Sequence, residues 1–598
     1  MAVFTSQGVL GSRWGLLPLA WALGAMTVAR LGAIGLPAER SAERVLFGAV
    51  AMLAAIALGV RALGAVGALA PLPLLASLVA LTVAVAVLRR DRRLGLRPRG
   101  LVSLETLPVA IVAAGAVLLA GVAATLLPVL HWDAAGYHLP YVNFALQRGT
   151  LADVPLDAPY ISTYPHAVEH FFVAWRAMLP DDRLVDAAQI PFGLLGAAAV
   201  ASIARRSGAR ADHAVAAGLA WLAMPAVFLQ LPTNYVDVAS ASLLLVAFAF
   251  ALAEPTVRNV LAASIALGLF LGSKPSAPVA TALVFAVVAA RAWKGGRRGA
   301  IVLGAAVALL LGAEIYLVNV ARFGNPIWPV KLTLGPLALP GRVTMADLLA
   351  TGPAAPRLEG ALALRLARSW TSLDAPPAFD MRNGGLGAVF LAALPVAALA
   401  AVRARGIAVL ALALASLASP DPAVPRYILA FPGLVLALAA ARVTALPARG
   451  RAVVLGLVAV ASLVGVIRAA PGLSGEGPPL GAYVAMSEAE RARAAGAAGS
   501  PRRFLDAVAR LGPGDATAFD ASLDLPYLAW SPDLAHHAVR IPDGAGDAEA
   551  DRVLGDPSVR LLIVGASSPV AARARARGDS FQELFTCRTS SCVVFSRL

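Results

Sequence analysis

One apolar run after another, each about as long as a helix needs to cross a bilayer, is what most constrains this chain. A crossing takes about 20 mostly apolar residues at 1.5 Å rise each. Such runs occur near 15–36, 45–62, 66–88, 104–128, 187–204, 213–232, 236–253, 258–273, 276–292, 299–321, 384–402, 405–419, 426–442 and 451–468. With 59% hydrophobic and 14% charged residues, and a mean hydropathy of +0.75, too little polar surface remains to keep 598 residues in water. We read a mainly α, polytopic bundle of 13 or 14 spans.

Charge fixes the orientation. The net charge of +15 invites a nucleic-acid reading. The basic residues, however, lie in short clusters between the apolar runs: RRDRRLGLRPR (89–99), ARRSGAR (204–210), RAWKGGRR (291–298), VRAR (402–405) and ARVTALPARGR (441–451). All five fall on one face, as cytoplasmic loops do, so membrane lipid rather than nucleic acid is the expected surroundings. Segments 129–186, 322–383 and 469–598 then lie on the other, extracytoplasmic side of the cell membrane. The first run lacks a small-residue cleavage site and reads as a retained helix.

Past the last span the composition changes. Residues 1–470 form the membrane part, 471–500, rich in Gly, Ala, Pro and Glu, read as a linker or a loosely packed helix, and 501–598 as a small α/β domain. PRRFLDAVARL (501–511) is amphipathic, while RLLIVGA (560–566) and CVVFSRL (592–598) have strand character. The two cysteines, Cys587 and Cys592, flank a short turn. A hairpin disulfide and two separate thiols both remain open.

Chemistry-bearing side chains gather just after the run ending at Pro128, in HWDAAGYHLPYVNFALQRG (131–149) and APYISTYPHAVEHFFVAW (158–175). Four of the seven histidines, His131, His138, His166 and His170, fall here. Asp133 stands at a membrane boundary, where capping is one explanation and function another. YHLPYVNFALQ has the pattern of a helix lying in the interface, with Tyr141, Phe144 and Ala145 on one face. His166 and His170, spaced i, i+4 beside Glu169, could ligate a metal, but two histidines are a weak signal. We read that segment as an interfacial helix anchored by Trp175.

A boundary aspartate, a Tyr-His-Leu-Pro helix and a later Tyr-Pro together resemble the bacterial GT-C class of integral membrane glycosyltransferases. That superfamily contains the protein O-mannosyltransferases and the aminoarabinose transferases of lipid A. LGLFLGSKPSA (267–277), RFGNPIWP (322–329), FDMRNGGLG (379–387) and PRYILAFP (425–432) extend the resemblance over most of the membrane part. It implies a polyprenyl-phosphate-linked sugar donor and an acceptor hydroxyl at the outer surface, carried by a protein, a lipid-linked glycan or a cell-wall polymer.

The family's catalytic base falls on Asp133. An inverting transfer needs one carboxylate to take the acceptor proton, because the lipid phosphate leaves already anionic. Ala134 follows where the mannosyltransferase branch has a second acidic residue, which separates this chain from that branch. Asp237, in LPTNYVDVAS (231–240), resembles a second-loop acidic position and could orient the acceptor, help hold a divalent cation or tune Asp133; whether a cofactor is needed stays open. Lys274, one of only three lysines with Lys294 and Lys331, needs an anionic partner at low dielectric, and a polyprenyl phosphate suits it. Arg426 and Arg382 are further phosphate or sugar candidates, and Tyr137, His138, His166 and Glu169 complete the expected substrate-binding set. Gly324, Asn325 and Pro326 read as a turn leading into Trp328. A flippase with the same span count would carry its polar groups near the midplane, often in repeated halves, and no repeat is visible here. A non-catalytic protein of the same fold is the other alternative.

Overall fold

A computed structural model describes residues 15–35, 41–88, 101–129, 131–152, 162–350, 358–374, 383–403, 406–475, 477–495, 500–587 and 591–598. The arginine cluster 89–99 and Arg382 lie outside the described residues.

Three helices come first: α1 (Leu16–Gly35), α2 (Ser41–Ala65) and α3 (Pro71–Leu88). Next are α4 (Leu107–Leu126), then two short helices, α5 (Leu139–Arg148) and α6 (Ala167–Ala177). The bundle continues with α7 (Ile190–Arg206), α8 (Ala211–Leu222), α9 (Asp237–Ala251), α10 (Val257–Leu271), α11 (Ala277–Lys294), α12 (Arg298–Gly312) and α13 (Glu314–Phe323). It closes with α14 (Leu362–Thr371), α15 (Gly387–Arg403), α16 (Ile407–Leu417), α17 (Ala430–Thr444) and α18 (Ala448–Ala469).

Every expected span carries a helix, but not every helix is a full crossing. Among the described residues, seven helices are long and apolar enough to span a membrane, eight if α12 and α13, bent by 65°, count as one. Five more are apolar but only 10–17 residues long, α9, α10 and α17 among them. Composition alone could not show this, because Pro, Gly and polar breaks shorten the ordered helix inside a longer apolar run. The outer helices show lipid-facing side chains such as Leu118, Val302 and Val453, while every residue of α9 is buried. An apolar exterior of this kind has lipid as its solvent, so the protein is an integral membrane protein.

Irregular backbone at depth is satisfied by side chains. Between α8 and α9 the chain runs buried and largely non-helical. There Gln189 Nε2 donates to the carbonyls of Gln230 (2.9 Å) and Thr233 (3.1 Å), while its Oε1 accepts from the Ala239 N–H. At the α12–α13 break, Arg61 of α2 donates to the Leu310 and Leu311 carbonyls that the bend frees. The same bend needs Gly312, where a Cβ would stand 2.2 Å from the Gly268 carbonyl oxygen of α10.

Asn325 closes the expected turn by donating to the carbonyls of Val330 and Pro340, and Gly324 takes a φ of +66°. A small sheet follows, ordered β2 (Leu337–Leu339), β1 (Val330–Leu334), β3 (Val343–Thr344).

After α19 (Ser500–Val508), the C-terminal unit is a five-stranded sheet ordered β5-β4-β6-β8-β7. Its strands are β4 (Ala516–Phe519), β5 (His537–Arg540), β6 (Val559–Gly565), β7 (Phe581–Thr586) and β8 (Cys592–Arg597), with α20 (Asp547–Gly555) and α21 (Pro569–Ala576) between them. Strand alternation divides its two faces. Leu561, Ile563 and Val594 join the core of the bundle, while Leu562, Val564 and Phe595 pack with α20 and α21. Cys587 and Cys592 are joined as a disulfide at the β7–β8 hairpin, the first of the two alternatives.

Two expectations about the loop after α4 fail. Neither α5 nor α6 lies open in an interface. Residues Leu139 to Ala145 are buried between α6 and the C-terminal unit, and Trp175 is buried, donating from Nε1 to the Leu184 carbonyl with its ring edge-on to Trp21 of α1. The amphipathic pattern was real, but its apolar face meets α1–α3 and the tail, and a local periodicity cannot tell protein from lipid.

Candidate functional site

Asp133, Asp237, Lys274 and Arg426 meet at the end of the bundle opposite the described arginine clusters. Each comes from the terminus of a different helix, where backbone geometry leaves side chains free to converge. Asp133 precedes a single π turn, Ala134–His138, that feeds into α5, and makes no capping bond. Its N–H donates to the Tyr235 hydroxyl at 3.3 Å. Asp237 opens α9, but the capping position is Val236, so neither carboxylate serves as a side-chain cap.

Lys274 follows α10 and Arg426 sits in the turn Pro425–Ile428 ahead of α17. Arg426 Nη1 lies 2.8 Å from Asp133 Oδ2 and 3.7 Å from Asp237 Oδ2, and Lys274 Nζ binds Asp237 Oδ1. The anionic partner of Lys274 is therefore within the chain, not only in a ligand. Two carboxylates face two cations, which removes the penalty of burying them singly. The Arg426 guanidinium also lies 5.1 Å from the Tyr235 ring centre and 5.0 Å from that of Tyr427, and Lys274 Nζ lies 5.5 Å from the latter. Asp133 and Lys274 keep side-chain exposures of 13% and 19%, against 5–6% for Asp237 and Arg426, so the cluster opens on the Asp133–Lys274 side.

The Arg426 turn is held from α14. Arg365 binds the buried Asp421, and Trp370 Nε1 donates to the Pro422 carbonyl at 3.0 Å.

Tyr137 lines the site edge-on to Trp132 and Tyr164, at 6.3 and 5.8 Å between ring centres. Burial, reinforced by the Asp133 charge, pushes its phenol well above the usual range, so it stays a proton donor. His138 Nδ1 and Glu169 Oε1 form a buried pair at 2.6 Å that ties the π turn to α6. His166 faces elsewhere, stacked on Tyr141 at 3.7 Å. Burial holds the imidazole of His131 down to about 3 and that of His170 well below its usual value.

Of the expected residues, Asp133, Asp237, Lys274 and Arg426 converge and Tyr137 stands beside them. His138 and Glu169 pair one turn away, and His166 belongs to a different cavity. Glu169 is turned toward His138, so it does not join His166 and His170 as a ligand. A divalent ion at the two aspartates would have to displace Arg426 or Lys274. Among the described residues, Glu105, Asp212 and His213 approach one another closely enough to share an ion. They lie at the arginine-rich end, already held by Arg210, Arg451 and Thr444. The aromatic walls Tyr164, Tyr235 and Tyr427 were given no site role by the sequence, although Tyr164 belongs to the Tyr-Pro pair that carries the resemblance, and Tyr235 and Tyr427 are neighbours of Asp237 and Arg426.

No family model matches the sequence, and neither does any curated protein. Among solved structures, ArnT from Cupriavidus metallidurans in the apo state is 18% identical, with a TM-score of 0.53 over 83% of this chain and 98% of that one. The same protein bound to undecaprenyl phosphate is 17% identical, with a TM-score of 0.48 over 82% and 97%. The Archaeoglobus fulgidus oligosaccharyltransferase in the apo form is 13% identical, with a TM-score of 0.37 over 76% and 69%. The first of these carries the comparison: the chain has the GT-C fold, as the sequence resemblance implied.

Proposed function

We propose that this protein transfers a sugar from a polyprenyl-phosphate-linked donor to an acceptor hydroxyl at the extracytoplasmic face of the cell membrane. The observation that carries the reading is Arg426 set between Asp133 and Asp237, with Lys274 on the far side of Asp237. Lipid-linked phosphate chemistry on this fold needs a carboxylate base beside cations, and these four side chains supply both. The fold shared with ArnT makes that class the first to test.

In the proposed step, the Asp133 carboxylate takes the proton from the acceptor O–H as its oxygen bonds to the sugar's anomeric carbon. The bond from that carbon to the phosphate oxygen breaks, and its electrons leave on the lipid phosphate. Lys274 holds the donor phosphate in the ground state, and Arg426, as it shifts from Asp133, stabilises the charge that develops there. Tyr137 donates a hydrogen bond to the sugar or the phosphate. Asp237 anchors both cations, and His138 with Glu169 hold the turn that aims Asp133. The gathering of these groups at one end favours transfer over a midplane transport path.

The test uses purified protein, a panel of polyprenyl-phosphate sugars and a lipid, glycan or peptide acceptor mixture. Asp133→Asn, melting as the parent does, should lose transfer by about 10²- to 10⁴-fold, the range for a positioned base. Full transfer by that variant would remove Asp133 from the role.

A further inference from the structure

A second polar cavity, of roughly 180 Å³, lies beside the His138–Glu169 pair, lined by Tyr141, His166 and His170, whose Nε2 stands 3.4 Å from the Tyr141 hydroxyl. Arg61 of α2, Tyr141 of α5, His166 just ahead of α6, His170 of α6, and Glu314 and Arg322 of α13 line it. The transfer step uses none of its charged groups. Arg61 Nε stands 2.9 Å from Glu314 Oε2. Arg322 is exposed and forms no ion pair among the described residues, so the described lining of the pocket carries one uncompensated positive charge. His170 is 3% exposed, and its buried Nδ1 has no hydrogen-bond partner among the described residues. An orphaned ring nitrogen in such a place is what a bound polar group would satisfy.

A larger apolar cavity, of roughly 500 Å³, adjoins the same two helices. Its walls come from α1, α2, α3, α6 and α7, and include Gly59, Val60 and Phe171. Val60 and Phe171 are the chain neighbours of Arg61 and His170, so an apolar chamber and a cationic one meet across consecutive residues of two helices. A phosphate-bearing amphiphile has this division of properties, a charged head on an apolar tail.

We infer that these paired cavities form a lipid site separate from the Asp133 centre, with the phosphate head against Arg322, Arg61 and His170 and the tail between α1, α2 and α6. A single net positive charge suits one phosphate anion. Gly272 borders the polar cavity two residues before Lys274, so the occupant lies next to the proposed transfer centre. The inference does not depend on the transferase reading, because binding is measured without a sugar donor.

The experiment is an equilibrium titration of the purified full chain, in neutral detergent, with dioctanoyl phosphatidic acid, dioctanoylglycerol or inorganic phosphate. Phosphatidic acid should bind saturably and the two fragments at least about tenfold more weakly. Arg322→Gln removes a charge with no structural partner and should weaken phosphatidic acid binding by about tenfold. At Gly59, which lines the apolar cavity, an added Cβ meets nothing within 4 Å, so Gly59→Leu puts its side chain where the tail would lie. It should weaken phosphatidic acid and leave inorganic phosphate unchanged. Equal affinity for inorganic phosphate would overturn the lipid assignment. Binding that survives both variants but disappears in Lys274→Gln would place the lipid at the transfer centre and overturn the second site.

Discussion

Arg426 Nη1 reaches Asp133 Oδ2 at 2.8 Å across 293 residues of sequence, and this contact joins the start of the bundle to its last third. Removing one side of a buried pair strands the other in low dielectric. Arg426→Ala is therefore expected to lower stability by about 3–5 kcal/mol, more than Asp133→Asn does. The double variant should be less unstable than the two losses summed. Thermal unfolding of all four proteins in one detergent gives the coupling, and strict additivity would contradict the pairing.

Lys274 is expected to act on donor binding more than on the chemical step. Lys274→Gln should raise KM for the polyprenyl-phosphate donor by about tenfold or more, with a smaller change in kcat. A variant that loses kcat alone would shift Lys274 away from the ground-state phosphate.

Where the C-terminal unit meets the bundle, burial pushes the Asp182 carboxyl up to about 6, and the Tyr527 hydroxyl donates to it at 3.4 Å. The folded-state value lies above the unfolded one, so folding retains a proton that the unfolded chain has given up between about pH 4 and 6. The Asp182 contribution to stability should fall as pH rises through that window and level off above it. Asp182→Asn should flatten the profile and protect the neutral-pH protein. Melting curves from pH 4 to 8 read this directly, and an unchanged slope in the variant would assign the pH effect elsewhere.

One side chain of α5 makes three hydrogen bonds to the tail. Gln147 Nε2 donates to the Ala538 carbonyl at 3.1 Å, while its Oε1 accepts from the Ala538 N–H at 3.0 Å and from Trp530 Nε1 at 2.7 Å. Losing three such bonds should weaken docking by about 2–4 kcal/mol. Proteolysis of Gln147→Ala between residues 471 and 500 should be correspondingly faster than in the parent. Equal cleavage rates would mean that the other contacts, the packing of Phe144 on Trp530 among them, hold the unit without Gln147.

Helix positions were legible because a bilayer demands long apolar runs, and Asp133, Asp237 and Lys274 stood out as polar groups at run boundaries. What sequence could not rank was Arg426. It is one of 50 basic residues, and its importance comes from a contact with no local signature. The same limit hid Arg61, whose bonds to the Leu310 and Leu311 carbonyls join distant helices. It also made Trp175 look like a membrane anchor, since periodicity records an apolar face without saying what covers it. The short strands β1–β3 fell below any pattern length, whereas β6 and β8 were readable from their apolar runs.

Because Gln147 waits for Ala538 and Asp133 for Arg426, a chain growing from its N-terminus carries an incomplete site through most of its synthesis. The carboxylate and the π turn beside it are made early, but their partners arrive only in the last third. Assembly of the site therefore acts as a check on completeness: a product ending before residue 426 keeps Asp133 without its guanidinium, and one ending before 530 leaves α5 uncovered. Premature termination should yield inert, proteolytically vulnerable protein rather than a partly active enzyme.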